Sequence, residues 1–168
     1  MALTTNLNKY QRQGFRVVID RENYGSAEYM AYSVNHPGLT LPSSPVSYRG
    51  AKSFVPGDTI DFESLSIEFQ LDEGFKSYKE LLDWICRNRD DNYVSHYKRQ
   101  TSDYIPSQAD ITIPLLGSDN NQFGKIVYKD ATPSNISPLE FTAQDESVEY
   151  STFIITFDIT SFTLTLTE

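Results

Sequence analysis

Apolar and polar residues alternate from Leu65 to Leu71, with Ile67 and Phe69 between them, so one face of a half-buried strand carries four apolar side chains. The period then lengthens. Tyr78, Leu81, Leu82 and Ile85 recur at helical spacing, which places an apolar core stripe on a helix predicted over about 73–88, with Lys76, Lys79, Glu80 and Asp83 on its other face. Two starts fit the sequence. Asp72 can cap the first turn with Glu73 at the positive end of the helix dipole, or Ser77 and Glu80 can form a capping box. At about 1.5 Å per residue the helix is roughly 24 Å long, enough to lie across one side of a small sheet, and it is expected to be the only helix of any size.

Alternation elsewhere predicts strands. Phe15, Val17 and Ile19 share one face of a first strand, 21–27 reads as a turn, and a second strand over 29–34 breaks at 35–38. Pro37 removes a ladder donor there and Gly38 permits positive φ. The strand is expected to resume beyond a bulge at 39–41. Prolines 42, 45 and 56, with Gly50 and Gly57, predict a long irregular excursion over 42–57 with a short extended patch at 46–49. A loop of that length in a compact domain is functional or belongs to an interface. Ile111, Ile113 and Leu115, a polar turn at 117–121 and the run 123–129 predict an antiparallel hairpin. A proline-bounded corner follows at 131–138. In the last strand-like run the apolar parity changes from Phe153, Ile155, Phe157 and Ile159 to Phe162, Leu164 and Leu166, which predicts a bulge, bend or break near Thr160 and Ser161. Such a strand must pair within the fold or with another subunit, because exposed it would aggregate.

The length, 168 residues, suits one domain with a core of its own. A single cysteine, Cys86, excludes an intramolecular disulfide framework and a multi-cysteine zinc site; its place at the end of the helix stripe predicts a buried structural thiol. The start of the chain has no basic region followed by an apolar run, and no stretch approaches the roughly 20 apolar residues of a membrane span, so a soluble chain without membrane anchoring is expected.

The formal net charge is −9, which argues against a nucleic-acid clamp, since phosphate binding needs a basic face. The charge is uneven. No lysine or arginine follows Lys129, whereas Asp130, Glu140, Glu149 and other acids do. These acids either keep a β-rich surface soluble and guard its edges or form a functional acidic surface.

The chemistry of catalysis is absent at the level of motif. His36 precedes a proline at a strand break, His96 lies among mixed charges, and neither has a local partner at metal-ligand spacing. Asp61 and Glu63 share a strand face as paired glycosidase acids could, but such pairs are commonplace in an acidic β protein. Asp119 lacks the acid spacing of a calcium loop, so 117–121 is read as a plain turn. Asn135 begins a formal glycosylation sequon that means nothing without secretion. The mixed-charge, tyrosine-bearing segment 87–108 fits a loop docked on protein better than a stacking platform for single strands, because acids interrupt its basic run. No enzyme, cofactor or metal is expected.

Several features in order carry a resemblance: Leu41-Pro42 after the second strand, Gly57-Asp58 leading into the strand from Leu65, the acid-started helix ending Leu82-Asp83-Trp84-Ile85, the hairpin from Ile111 to Tyr128, the Pro133 to Ser137 corner and the final alternating strand. In these the chain resembles, over about 15–162, the inner tail-tube proteins of contractile-tailed bacteriophages, related in fold to contractile injection system tubes and to the haemolysin-coregulated protein of type VI secretion. The resemblance implies a mainly β fold, an antiparallel barrel-like sheet or sandwich with one flanking α-helix. It implies a single tube domain over 1–168 with a loosely held N-terminus at about 1–13. It further implies homohexameric rings that stack into the inner tube of a virion tail, assembled in the host cytoplasm, with the sheets of adjacent subunits joined around a channel. Sheath, baseplate and tape-measure proteins are the implied partners, and DNA is a transient, non-specific passenger repelled by an acidic lumen. The loop 42–57 matches the family's extended loop, so Pro42, Val46, Tyr48, Arg49, Phe54 and Pro56 are its candidate contacts with neighbouring subunits and rings. The length of 87–108 and an insertion at 20–31 depart from a simple tube subunit; they fit an outward decoration, a sheath contact or a baseplate tube-initiating or tail-terminator homologue. A stand-alone acidic β-sandwich binding module is the rival from another class.

Overall fold

A computed structural model describes residues 10, 13–89, 105–141 and 150–167. The expected loosely held N-terminus at 1–9, most of the mixed-charge segment 87–108 including His96, and residues 142–149 lie outside the described residues.

The elements are α1 (Arg21–Met30), β1 (Ala31–Asn35), β2 (Leu39–Thr40), β3 (Ser43–Tyr48), β4 (Ala51–Pro56), β5 (Asp61–Phe62), β6 (Leu65–Gln70), α2 (Lys76–Arg89), β7 (Ala109–Leu116), β8 (Gln122–Ile136), β9 (Thr152–Asp158) and β10 (Ser161–Leu166). All named strand pairs are antiparallel. The main sheet runs β1-β6-β9-β8, with β10 and β7 also on β8, and it curls into a barrel-like half shell that α2 flanks.

The alternation in β6 holds: Leu65, Ile67 and Phe69 are fully buried, facing Phe157, Ile155 and Phe153 across the ladder. Residues 15–19 are extended but form two isolated bridges to β7 rather than a strand, and Val17 and Ile19 still reach the core. The segment read as a turn at 21–27 is helical instead. It consists of two short helical pieces meeting at Tyr24, whose φ of −134° breaks the helix, so α2 is the one uninterrupted long helix among the described residues.

Of the two expected starts the structure takes the first: Asp72 caps α2, and Ser77, inside the helix, forms no capping box with Glu80 but donates its hydroxyl to Asp72. Asp72 stands outside the helix and accepts hydrogen bonds from the backbone N–H groups of Lys76 (2.9 Å) and Ser77 (3.0 Å), and from the Ser77 hydroxyl. These bonds, the hydroxyl's first, hold the Asp72 carboxyl below its ordinary range. A depressed folded pKa contributes stability that is present above the unfolded value near 3.9 and is lost as pH falls through the folded value. Asp72→Ala is therefore expected to cost about 1 kcal/mol at neutral pH and to flatten the acid limb of a stability–pH profile. A variant with wild-type stability at pH 7 would remove Asp72 as the cap.

The stripe is rotated from its expected position. Leu81 is buried and Tyr78 and Ile85 pack against the core, but Leu82 is only half-buried, and the centre of the face is Ser77, Leu81 and Trp84. Trp84 stacks on Tyr24 (centroids 4.3 Å apart), leans on Phe157 and donates its indole N–H to the Ser107 carbonyl (2.9 Å). Cys86, expected as a buried thiol, is exposed, because the rotation turns the position beyond Ile85 outward.

Two further expectations change form. The corner at 131–138 is strand as far as Ile136: β8 bends at Asp130, in the left-handed region (φ 54°), and passes from β7 and β10 to β9. The break near Thr160 and Ser161 is found opposite that bend. Lys129 pairs with Ser161 and Thr132 with Asp158, so both strands switch faces together and the ladder keeps its register.

The stretch 42–57, expected as irregular, is a two-residue hairpin of β3 and β4. Arg49 (φ 48°) and Gly50 (φ 87°) form its turn, and a positive φ at both central positions matches strand twist. The prolines do not break it. The Gly57 N–H to Pro42 carbonyl bond (2.7 Å) marks that pair as hydrogen-bonded, so the Ser43–Pro56 and Pro45–Phe54 pairs both fall where no inward N–H is required.

Candidate assembly surfaces

The hairpin is the end of a longer ribbon. Val34 faces Ile67, Asn35 faces Ser66, Leu39 faces Phe62 and Thr40 faces Asp61 in one constant register, and after a two-residue shift Ser43 faces Pro56 and Tyr48 faces Ala51. The arms from Leu39 to Tyr48 reach roughly 30 Å at about 3.3 Å per residue. The predicted contact residues Pro42, Val46, Tyr48, Arg49, Phe54 and Pro56 all lie on this ribbon. Phe54 is 68% exposed, and Pro42, Val46 and Pro56 are also exposed. Tyr48 ends β3, opposite Ala51.

The side of the main sheet that faces away from the core is rich in hydroxyls, including Ser66, Thr132, Thr156, Thr163 and Thr165. Its charges are largely held. The Ser33 hydroxyl donates to Glu68 (2.9 Å), the Ser64 hydroxyl to Asp158 (2.9 Å), and Lys129 pairs with Asp110. The Lys129 ammonium keeps the Asp110 carboxyl below its ordinary range. Glu68, Asp110 and Asp158 face Lys125 and Lys129 in sign, so this surface is far closer to neutral than the net charge of the chain implies.

Where the ribbon leaves the sheet, His36 Nδ1 lies 2.7 Å from the Tyr128 hydroxyl and its ring meets Phe162 edge-on (4.6 Å). They stand at an open trough of about 890 Å³ whose walls include Phe15, Val34, Ile113, Leu115 and Ile126. Burial raises the Tyr128 pKa and lowers that of His36. A lowered histidine pKa means the unfolded chain binds the proton first, so this contribution to stability is lost as pH falls below about 6.5 towards the folded value. His36→Gln should lose less thermal stability than wild type between pH 7.5 and 5.5; equal losses would exclude His36 as a source of the slope.

The remaining candidates for chemistry are separated. Glu63 accepts the Gly38 N–H (3.2 Å), and Asp119 accepts from Asn121 within its turn. Among the described residues no group of three His, Cys, Asp or Glu side chains could hold a metal ion, and no helix is long and apolar enough to cross a membrane. Sequence reading missed His36 with Tyr128, since a histidine beside a proline gives no sign of a partner 92 residues away.

A curled antiparallel half-barrel with one long flanking helix and a protruding ribbon defines a tube-protein fold of the contractile-injection type. No protein-family model and no curated protein matches the chain. Solved structures do. A chain of the sheath–tube complex of an extracellular contractile injection system, PVC, in its extended state, is 16% identical with a TM-score of 0.67, covering 98% of this chain and 99% of that one. A chain of the anti-feeding prophage baseplate is 10% identical with a TM-score of 0.64 and 97% of each chain covered. Hcp1 from Flavobacterium johnsoniae is 12% identical with a TM-score of 0.53, covering 90% and 94%. At these identities the likeness establishes the fold.

Proposed function

We propose that this chain is a structural subunit, one tube domain over 1–168, that forms homohexameric rings stacking into the inner tube of a contractile tail, with DNA as its passenger during ejection. The observation that carries this reading is the ribbon: roughly 30 Å of paired backbone with exposed apolar side chains is built to meet another molecule. The shape is supported by sheet edges that a neighbour can continue. Among the described residues the outer edges of β1 and β10 carry no named strand, and Leu164 and Leu166 of β10 are exposed. Sheath, baseplate and tape-measure proteins are the expected partners, and the tail of a virion the expected place.

The hydroxyl-rich sheet face is the proposed channel lining. DNA slides past it because its lysines are few and Lys129 is already paired, so phosphates find little to replace their counterions. Glu68→Lys with Asp158→Lys should slow genome ejection in a dye-release assay, most strongly at low salt; unchanged kinetics would exclude this face as the lining.

Negative-stain electron microscopy of the purified protein across concentrations tests the whole reading. Rings and stacked tubes with a central channel are expected. A monomer that adds to nothing, even with tail-assembly extract, would favour the binding-module class. The likeness to a baseplate chain favours a second reading, a tube-initiating subunit, which would form rings that nucleate a tube without elongating alone.

A further inference from the structure

The curled sheet is covered unevenly. α2 lies over part of it, with Tyr78 on Phe153 and Trp84 on Phe157, but no residue of α2 lines the trough between β1 and the core side of β7 and β8. Ile113 is buried there, whereas Phe15, Val34, Leu115 and Ile126 are only half-buried, so side chains of core type meet water along an open groove. Its volume, about 890 Å³, falls within the roughly 300–1,000 Å³ of small-molecule sites.

The walls run in strand rows. Ile111 faces Tyr128, Ile113 faces Ile126 and Leu115 faces Gly124, so Tyr128 stands at one end of the row and Leu115 at the other, where Phe15 bridges to it. A body that follows such rows is extended and apolar.

Charge narrows the choice further. None of the described residues that line the trough is an Asp, Glu, Lys or Arg, although these make up 22% of the chain, so an ion would find no counter-charge. The Ser33 hydroxyl at its edge donates to Glu68, which points to the face of β6 opposite Leu65, Ile67 and Phe69. Polarity is gathered at the Tyr128 end. His36 is exposed, and among the described residues its ring is hydrogen-bonded only through Nδ1 to the Tyr128 hydroxyl, which leaves Nε2 open. Burial lowers the His36 pKa, so the imidazole is neutral at neutral pH and gives a carboxylate nothing to pair with. Nε2 donates or accepts according to the tautomer, and a hydroxyl answers either.

We infer that the trough is a binding site for an uncharged amphiphile with a linear aliphatic body and a hydroxyl head. The body lies along Val34, Ile113, Leu115 and Ile126, and the hydroxyl meets Nε2 of His36. The site is complete within one chain, so it stands or falls apart from the tube reading.

The test is titration of the full-length protein, below the concentration at which it assembles, with the uncharged fluorescent probe N-phenyl-1-naphthylamine, followed by displacement with 1-decanol or decanoate. Saturable probe fluorescence is expected, and decanol should displace the probe at least tenfold more effectively than decanoate. Val34→Lys places an ammonium in the wall and should reverse that order, a result that a misfolded variant cannot give. His36→Ala, at an exposed position, should weaken decanol about fivefold, the loss of one hydrogen bond. A wild type without saturable fluorescence, equal displacement by decanol and decanoate, an unchanged order in Val34→Lys or full decanol affinity in His36→Ala would each overturn the inference.

Discussion

Trp84→Ala is expected to lower stability by about 3–5 kcal/mol, among the largest effects of a single truncation in the described residues. The indole is fully buried between the sheet and α1, stacked on Tyr24 and tilted against Phe157, and its N–H bonds the Ser107 carbonyl. Alanine leaves a cavity that a rigid sheet on one side and the kinked α1 on the other can close only in part, and it strips the Ser107 carbonyl of its donor. Against a total stability of about 5–15 kcal/mol that is a large fraction, and for a chain of this size it lowers the melting temperature by roughly 10 °C. Trp84→Phe keeps most of the packing but not the hydrogen bond, so it should fall between alanine and wild type. Leu82→Ala is the control: the half-buried Leu82 lies off the packed face, and its truncation should cost about 1 kcal/mol or less. Urea denaturation of the three variants decides the matter. Equal midpoints for Trp84→Ala and Leu82→Ala would mean that the helix face is assigned wrongly.

That comparison also shows why the stripe was only partly legible. Spacing locates a helical face to within about one residue, since each position turns by 100° and apolar residues flank the true centre on both sides. Tyr78, Leu81 and Ile85 lie on either assignment; Trp84 is distinguished by stacking on Tyr24, from an element that sequence reads as a turn, and Ser77 by its hydrogen bonds to Asp72. α1 was missed because Gly25 and the break at Tyr24 leave too few residues for a periodic signal. The strands β6, β7 and β9 were plain because each buries one face, so burial writes a period of two into the sequence. β3 and β4 bury neither face, and nothing imposes alternation on them. Their prolines, elsewhere a sign against a strand, are compatible with a ribbon that asks for an N–H at only every second position. Pro42, Val46, Tyr48, Arg49, Phe54 and Pro56 lie on one paired ribbon whose regular structure the sequence hides. The stack of Phe75 on Phe141 is not legible either, because the two are 66 positions apart and the left-handed φ of Phe75 (54°) is not written in residue type.

Replacing Ser43–Pro56 by Asn-Gly is expected to leave the folded body intact and abolish tube formation. The excision is geometrically available: Pro42 and Gly57 already form a hydrogen-bonded pair (2.7 Å), and a two-residue Asn-Gly turn closes such a pair with the correct twist. The removed strands pair with each other and are exposed wherever their side chains are described, so the core loses no packing partner. A two-stranded ribbon of this kind is marginal in isolation and adds little to global stability, which makes its persistence in the chain hard to explain by folding. The melting temperature should therefore shift by no more than about 2 °C, consistent with a surface change of about 0.5 kcal/mol. Assembly should respond differently. If the ribbon tip is the axial contact, its loss removes every head-to-tail interaction at once, while the sheet edges of β1 and β10 still allow rings, so single rings and no tubes should appear at concentrations where wild type polymerises. Tubes of normal length from the shortened chain would show that rings stack through another surface. A loss of folding would instead make the ribbon part of the core unit, in conflict with the exposure of both its faces.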